Sequence, residues 1–212
     1  MVSSSHTSRP TRSRIARASF VAALALLAAC ETVQPVLVDS TLATTEAFGS
    51  LRRGDVAVLP VEDGTPDGAA QRHLVFLRQE IARQLVDRLF SPIEPSVVDA
   101  SLRGSSDVVV RESVLAPASW PKLVGRSDED AVFALRVQRW DESRLPTDKR
   151  VRFEFQAAMV GRDGTLLWGG AIQGEVKAGG LDAAPRDREG MAKSCGTLAV
   201  AAMLQRLPRR AL

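Results

Sequence analysis

Two alternating runs of residues separated by Asp163-Gly164 constrain this chain more than any other feature. Val151, Phe153, Phe155, Ala157 and Met159 alternate with Arg152, Glu154 and Gln156. Beyond Arg162-Asp163-Gly164-Thr165, the run Leu166 to Val176 places Trp168, Ile172 and Val176 on one face. A period of two is the signature of a half-buried strand. Asp-Gly supplies the positive φ angles of a tight turn whose twist matches a hairpin. Ala131 to Trp140 alternates too, with Phe133, Leu135 and Val137 opposite Arg136 and Gln138. Three such strands in succession predict an antiparallel meander covered on one side.

Helices are needed to provide the cover. Over Ala69 to Phe90, Leu74, Leu77, Ile81, Leu85 and Leu89 recur every three or four residues and form one apolar stripe. Asp67 favours the helix N-terminus, and Pro92 marks its end. A second helix is predicted over Arg188 to Leu207, with Met191, Cys195, Leu198 and Ala202 on one face and Pro208 as its stop. Gly196 costs this helix about 1 kcal/mol relative to alanine but permits close packing. Val56-Ala57-Val58-Leu59-Pro60-Val61 reads as a short buried strand, and Glu62 to Gly68 as a polar loop. Further short strands are predicted at Ser96-Val97-Val98 and Val108-Val109-Val110. Pro117 to Gly125 reads as a short helix that turns Trp120 and Leu123 inward, and Gly179 to Asp187 as a break. The fold class is α/β (α+β): a two-layer sandwich of a mixed sheet ending in an antiparallel meander, with helices mainly on one face.

The N-terminus is different in kind. Arg9, Arg12, Arg14 and Arg17 precede the ten-residue apolar run Phe20 to Ala29. This is the pattern of a secretory signal. Ten helical residues span about 15 Å, half of a bilayer's hydrocarbon core. The ending Leu27-Ala28-Ala29-Cys30 resembles the lipobox of bacterial lipoproteins. That resemblance implies cleavage between Ala29 and Cys30, a diacylglyceryl group on the Cys30 sulfur, and acylation of its amino group by a palmitate-type fatty acid. Glu31 is not the aspartate associated with inner-membrane retention, which implies the outer membrane, facing the periplasm. The chain divides into a signal peptide (1–29), a lipidated N-terminus and tether (30–53) and a single α/β periplasmic domain (54–212). Part of the tether can add a strand to the domain.

Removing residues 1–29 leaves 183 residues with 24 basic and 25 acidic side chains, so nucleic-acid binding has no basis in charge. Tyrosine is absent and tryptophan occurs three times, too few for an aromatic ligand platform. The two cysteines of the full chain exclude a disulfide framework and a cysteine zinc site. With Cys30 lipidated, Cys195 has no intrachain partner.

The early strand Val56 to Val61, its helix, the segment ending Val97-Val98-Asp99, and the pairing of Gly125 to Val137 with Leu166-Leu167-Trp168-Gly169-Gly170 together resemble the curli-secretion-channel and TolB N-terminal type of domain. Leu59-Pro60 and Gly164 to Trp168 are similar to the motifs of a small outer-membrane lipoprotein family of unknown function. The likeness covers roughly residues 54–178 and departs at Ser101 to Val114 and at Arg126 to Asp130. It implies a role in assembling or supporting an envelope or secretion machine, with an envelope protein partner and self-association. It supplies no catalytic residues. The long alternating hairpins of a membrane pore are missing from the pattern.

No catalytic, cofactor-binding or metal-binding constellation stands out, and a non-enzymatic role is expected. Cys195 can be a nucleophile, a redox thiol or a crosslink, but on an apolar helix face it reads as a buried structural thiol. His73 reads as a surface histidine. Glu62, Asp63 and Asp67 lack the spacing of a calcium loop and read as a solvated turn. Arg150, Arg152 and Glu154 read as a solvated sheet face or a partner surface. The expected function is that of a lipid-anchored accessory module. The alternative is an activator or regulator of a peptidoglycan synthase.

Overall fold

A computed structural model describes residues 37–51, 54–103, 113–179 and 187–210. The expected signal peptide and its cleavage site at Ala29 and Cys30, and the strand expected at Val108 to Val110, lie outside the described residues. The strands are β1 (Leu37–Ser40), β2 (Ala43–Thr44), β3 (Asp55–Val58), β4 (Glu62–Asp63), β5 (Ser91–Pro92), β6 (Ala131–Asp141), β7 (Arg150–Gly161) and β8 (Leu166–Lys177). The helices are α1 (Leu74–Val86), α2 (Pro95–Arg103), α3 (Trp120–Leu123), α4 (Leu145–Asp148) and α5 (Arg188–Leu204). The sheet runs β1-β8-β7-β6-β3-β5, with β2 added to β8 and β4 to β6. β3 pairs in parallel with β5 and β6, and the meander β6-β7-β8 is antiparallel. The fold is α+β, as expected.

The long helices α1 and α5 cover one face of the meander. Leu77, Ile81 and Leu85 of α1 meet Phe133, Phe153, Phe155, Trp168 and Val176 of the sheet, all of them buried. Gly196 sits at the crossing of the two helices, where a Cβ would lie 2.8 Å from the Phe76 ring. Among the described residues the opposite face is covered toward the β3 end. There Ala57, Leu59, Val132, Ala134, Ala158 and Val160 pack with Val98 and Leu123. β3 is thus buried on both faces, which explains its continuous apolar run.

Two expectations need correction. Ser96 to Val98 is not a strand but lies in α2. Pro95 is pre-organised for the first helical position, and the Glu94 carbonyl accepts from the amides of Val97 and Val98 at 2.9 and 3.3 Å. Val98 is buried and Val97 is 51% exposed, as on an amphipathic helix. Next, α1 stops short of Leu89. That residue has φ 67° and is 40% exposed, because the Phe90 amide turns back onto the Leu85 carbonyl at 3.2 Å. The segment read as a tether does add strands to the sheet, as its reading allowed. β1 and β2 lie antiparallel along β8, with Leu37 opposite Glu175 and Ala43 opposite Gly169. Gly170, at φ 141°, makes room for them, since a Cβ there would lie 2.6 Å from the Thr41 carbonyl oxygen.

Candidate functional site

The site begins with a register shift. Between Val137 and Arg139 the β6–β7 ladder gains an extra residue. Strict alternation from Val137 would send Trp140 outward. The bulge instead turns Val137 and Trp140 to the same buried side, and Glu142 follows with the parity of Trp140. A bulge re-aiming a side chain in this way explains how a carboxylate enters the apolar layer.

Glu142, only 7% exposed, meets His73, which is 3% exposed. His73 was expected at the surface. It ends the 3-10 turn Gln71–His73 that opens α1, and its ring lies 5.2 Å from the Trp140 ring. One oxygen of Glu142 accepts from His73 Nε2 at 2.6 Å and from Trp140 Nε1 at 2.9 Å. The other accepts from Arg72 Nη2, and from Arg188 Nε at 3.1 Å. Arg72 Nε also lies 3.0 Å from His73 Nε2. That nitrogen cannot both donate to the carboxylate and accept from the guanidinium. The contact to a charged oxygen requires the proton, so His73 donates to Glu142. Burial alone would raise the Glu142 pKa. Hydrogen bonds from Arg72, Trp140 and His73, with the charge of Arg72, outweigh it and hold the group at about 2.

A cleft of about 800 Å³ opens beside this cluster, lined among others by Thr65, Asp67, Arg72, Trp140, Glu142 and Arg188. The arrangement joins the start of α1, the end of β6 and the start of α5. Both Glu142 oxygens are occupied, so its chemistry here is that of a latch.

The other candidates are dispersed. Glu62 accepts from Ser113 Oγ and the Val114 amide, each at 2.6 Å, and Asp63 from Thr65 Oγ1 at 2.5 Å. Asp67 accepts from the Ala69 amide at 3.1 Å. Glu62 and Asp63 also form β4 beside Arg136 and Val137, so the expected loop begins later. Among the described residues no group of three or more His, Cys, Asp or Glu side chains could hold a metal ion. Cys195 is fully buried, and burial pushes its thiol up to about 12. Arg150 and Arg152 converge with Arg144 on Glu175 at 2.7, 3.1 and 3.2 Å.

Sequence reading missed Glu142, Arg72 and Arg188. Its available signal was Val137 and Trp140, two large apolar residues three apart at a strand end. That spacing is incompatible with one strand face unless a bulge intervenes.

No family model and no curated protein matches the chain. Among solved structures it is similar to the PelC dodecamer from Paraburkholderia phytofirmans, with 12% identity over 82% of this chain and 100% of that one, at a TM-score of 0.47. It is also similar to lipoprotein GNA1162 from Neisseria meningitidis, at 19% identity, 72% and 96% coverage and a TM-score of 0.45. For the hypothetical protein CT253 from Chlamydia trachomatis the values are 13%, 73%, 96% and 0.42. Likeness at this level says nothing of the chain's role. The resemblance to the curli-channel and TolB type is not confirmed.

Proposed function

We propose that the chain is a lipid-anchored, non-enzymatic accessory module of the cell envelope, held to the outer membrane through Cys30 and facing the periplasm. The observation that carries this reading is the lipobox-like Leu27-Ala28-Ala29-Cys30 behind a basic and then apolar N-terminus, and the distance from Cys30 to the domain fits it. β1 starts at Leu37, so only residues 31–36 separate Cys30 from the sheet. Fully extended, that stretch reaches about 25 Å. Two glycerol-linked chains and one amide-linked chain would hold the leash firmly, where a single chain is marginal. A leash this short keeps the domain at the membrane surface. It counts against the synthase activator, which would have to reach far from its anchor. Among the described residues no helix is long and apolar enough to cross a membrane.

The non-enzymatic part of the reading is supported by the occupied Glu142 and by the buried thiol of Cys195, which is a poor nucleophile at a pKa of about 12. An envelope protein, or further copies of this chain, would be the partner. The exposed Val75 and Val86 on α1 and Leu89 beyond it suit such a contact. The test is metabolic labelling with palmitate followed by fractionation. Wild type should carry label and sediment with membranes, and Cys30→Ala should carry none. Unlabelled wild type, or a labelled Cys30→Ala variant, overturns the anchor.

A further inference from the structure

β6 loses one of its two neighbours before it ends. On one side it is paired with β7 as far as Asp141. On the other it pairs with β3 at Ala131 to Phe133 and with β4 at Arg136 and Val137, and among the described residues no strand follows. The Val137 carbonyl faces that side and accepts the Gly64 amide at 2.8 Å, and there the covering chain turns away. Gln138 to Asp141 keep β7 as their strand partner. Among the described residues no other main chain and no side chain bonds to their backbone groups.

This edge does not stand open to solvent. The cleft beside Glu142 runs along it, with Gln138 to Ser143 as one wall and Thr65 to Ala69, Arg72 and Arg188 opposite. The outer edges of the sheet are blunted in the usual way: β1 is short and carries the exposed Asp39, and β5 has two residues. The edge of β6 is walled instead. A wall of that kind keeps out the edge of a second sheet and admits a single extended chain. Four strand residues run about 13 Å, and an added strand would lie about 4.8 Å from them. Charge does not choose the occupant. Arg72, Arg139 and Arg188 line the cleft together with Asp67, Asp141 and Glu142, and Asp187, Glu189 and Lys193 flank Arg188. The two signs nearly balance, so the distinctive feature of the cleft is its unpaired main chain.

We propose that the cleft binds an extended peptide segment of a partner protein, which adds to β6 as a short strand in the place that β4 vacates. Main-chain hydrogen bonds then supply affinity, and alternate side chains of the peptide supply specificity. The inference goes beyond the accessory role by naming how a partner is held, and it does not depend on the anchor at Cys30.

The test pans the purified full chain against a phage-displayed library of random heptapeptides. The best binder is then resynthesised with one N-methyl group at each position in turn. The peptide should slow amide hydrogen exchange at Gln138 to Asp141. N-methylation should weaken binding about tenfold at alternate peptide residues and spare those between, because successive N–H groups of a strand point to opposite sides. Pro66→Trp, which fills the cleft from an exposed loop position, should weaken binding by a similar factor. A Val75→Asp/Val86→Asp variant, changed on the exposed side of α1, should bind as wild type does. The N-methyl series needs wild type alone, so it decides the matter even where a variant misfolds. A library that yields no binder, a binder that tolerates N-methylation throughout, or one lost on α1 and kept in folded Pro66→Trp overturns strand addition.

Discussion

Replacing Glu142 with glutamine is the sharpest test of the latch. The change keeps the side chain's shape and removes its charge. It also turns an amide N–H₂ toward the oxygen position where Arg72 and Arg188 now donate. Those two arginines are mostly exposed and can swing into water, whereas His73 and Trp140 cannot. The native carboxyl sits at about 2 against an ordinary 4.5. That difference corresponds to at most about 3 kcal/mol of stability. The sign follows from the depressed value. The contribution is complete above pH 4.5 and disappears as the pH falls toward 2. The difference in unfolding free energy between wild type and Glu142→Gln should therefore be up to about 3 kcal/mol at neutral pH and shrink between pH 4.5 and 2. Urea titrations at a series of pH values read it directly, because the remaining carboxylates are common to both proteins. Equal stability at pH 7, or a difference that does not change with pH, would refute the latch.

Gly196→Val should destabilise the fold by about 1–3 kcal/mol through overpacking against Phe76 and Leu77, read as a lower thermal midpoint; an unchanged midpoint would mean that α1 and α5 do not cross there. Cys195 should resist thiol reagents in the native protein and react at once in urea, because burial keeps it protonated; rapid native labelling would contradict its burial.

The meander was legible because its signals are local. Alternation in Val151 to Met159 and the Asp163-Gly164 turn lie within a few residues of each other, and no distant contact competes with them. Val97-Val98 misled because β-branched residues favour strands only where a sheet receives them. Here Pro95 and the Glu94 carbonyl start a helix that packs Val98 and Leu102 against the core. The turn of Trp140 and Glu142 inward was not read because a bulge changes parity without changing composition. The pairing of His73 with Glu142 spans 69 residues, and neither neighbourhood announces the other. That part of the tether segment adds a strand was read, but not which residues do so, because β1 and β2 are short and are admitted by the missing side chain of Gly170, far along the chain.

The position of β1 also sets an order of events. Its partner strand lies more than 130 residues later in the chain, as the contact between Ser40 and Ala171 shows. A chain that emerges from its N-terminus exposes Leu37 early but cannot pair it until Glu175 has followed. β1 thus cannot join the sheet before β8 has been made, although it is the first strand in the chain.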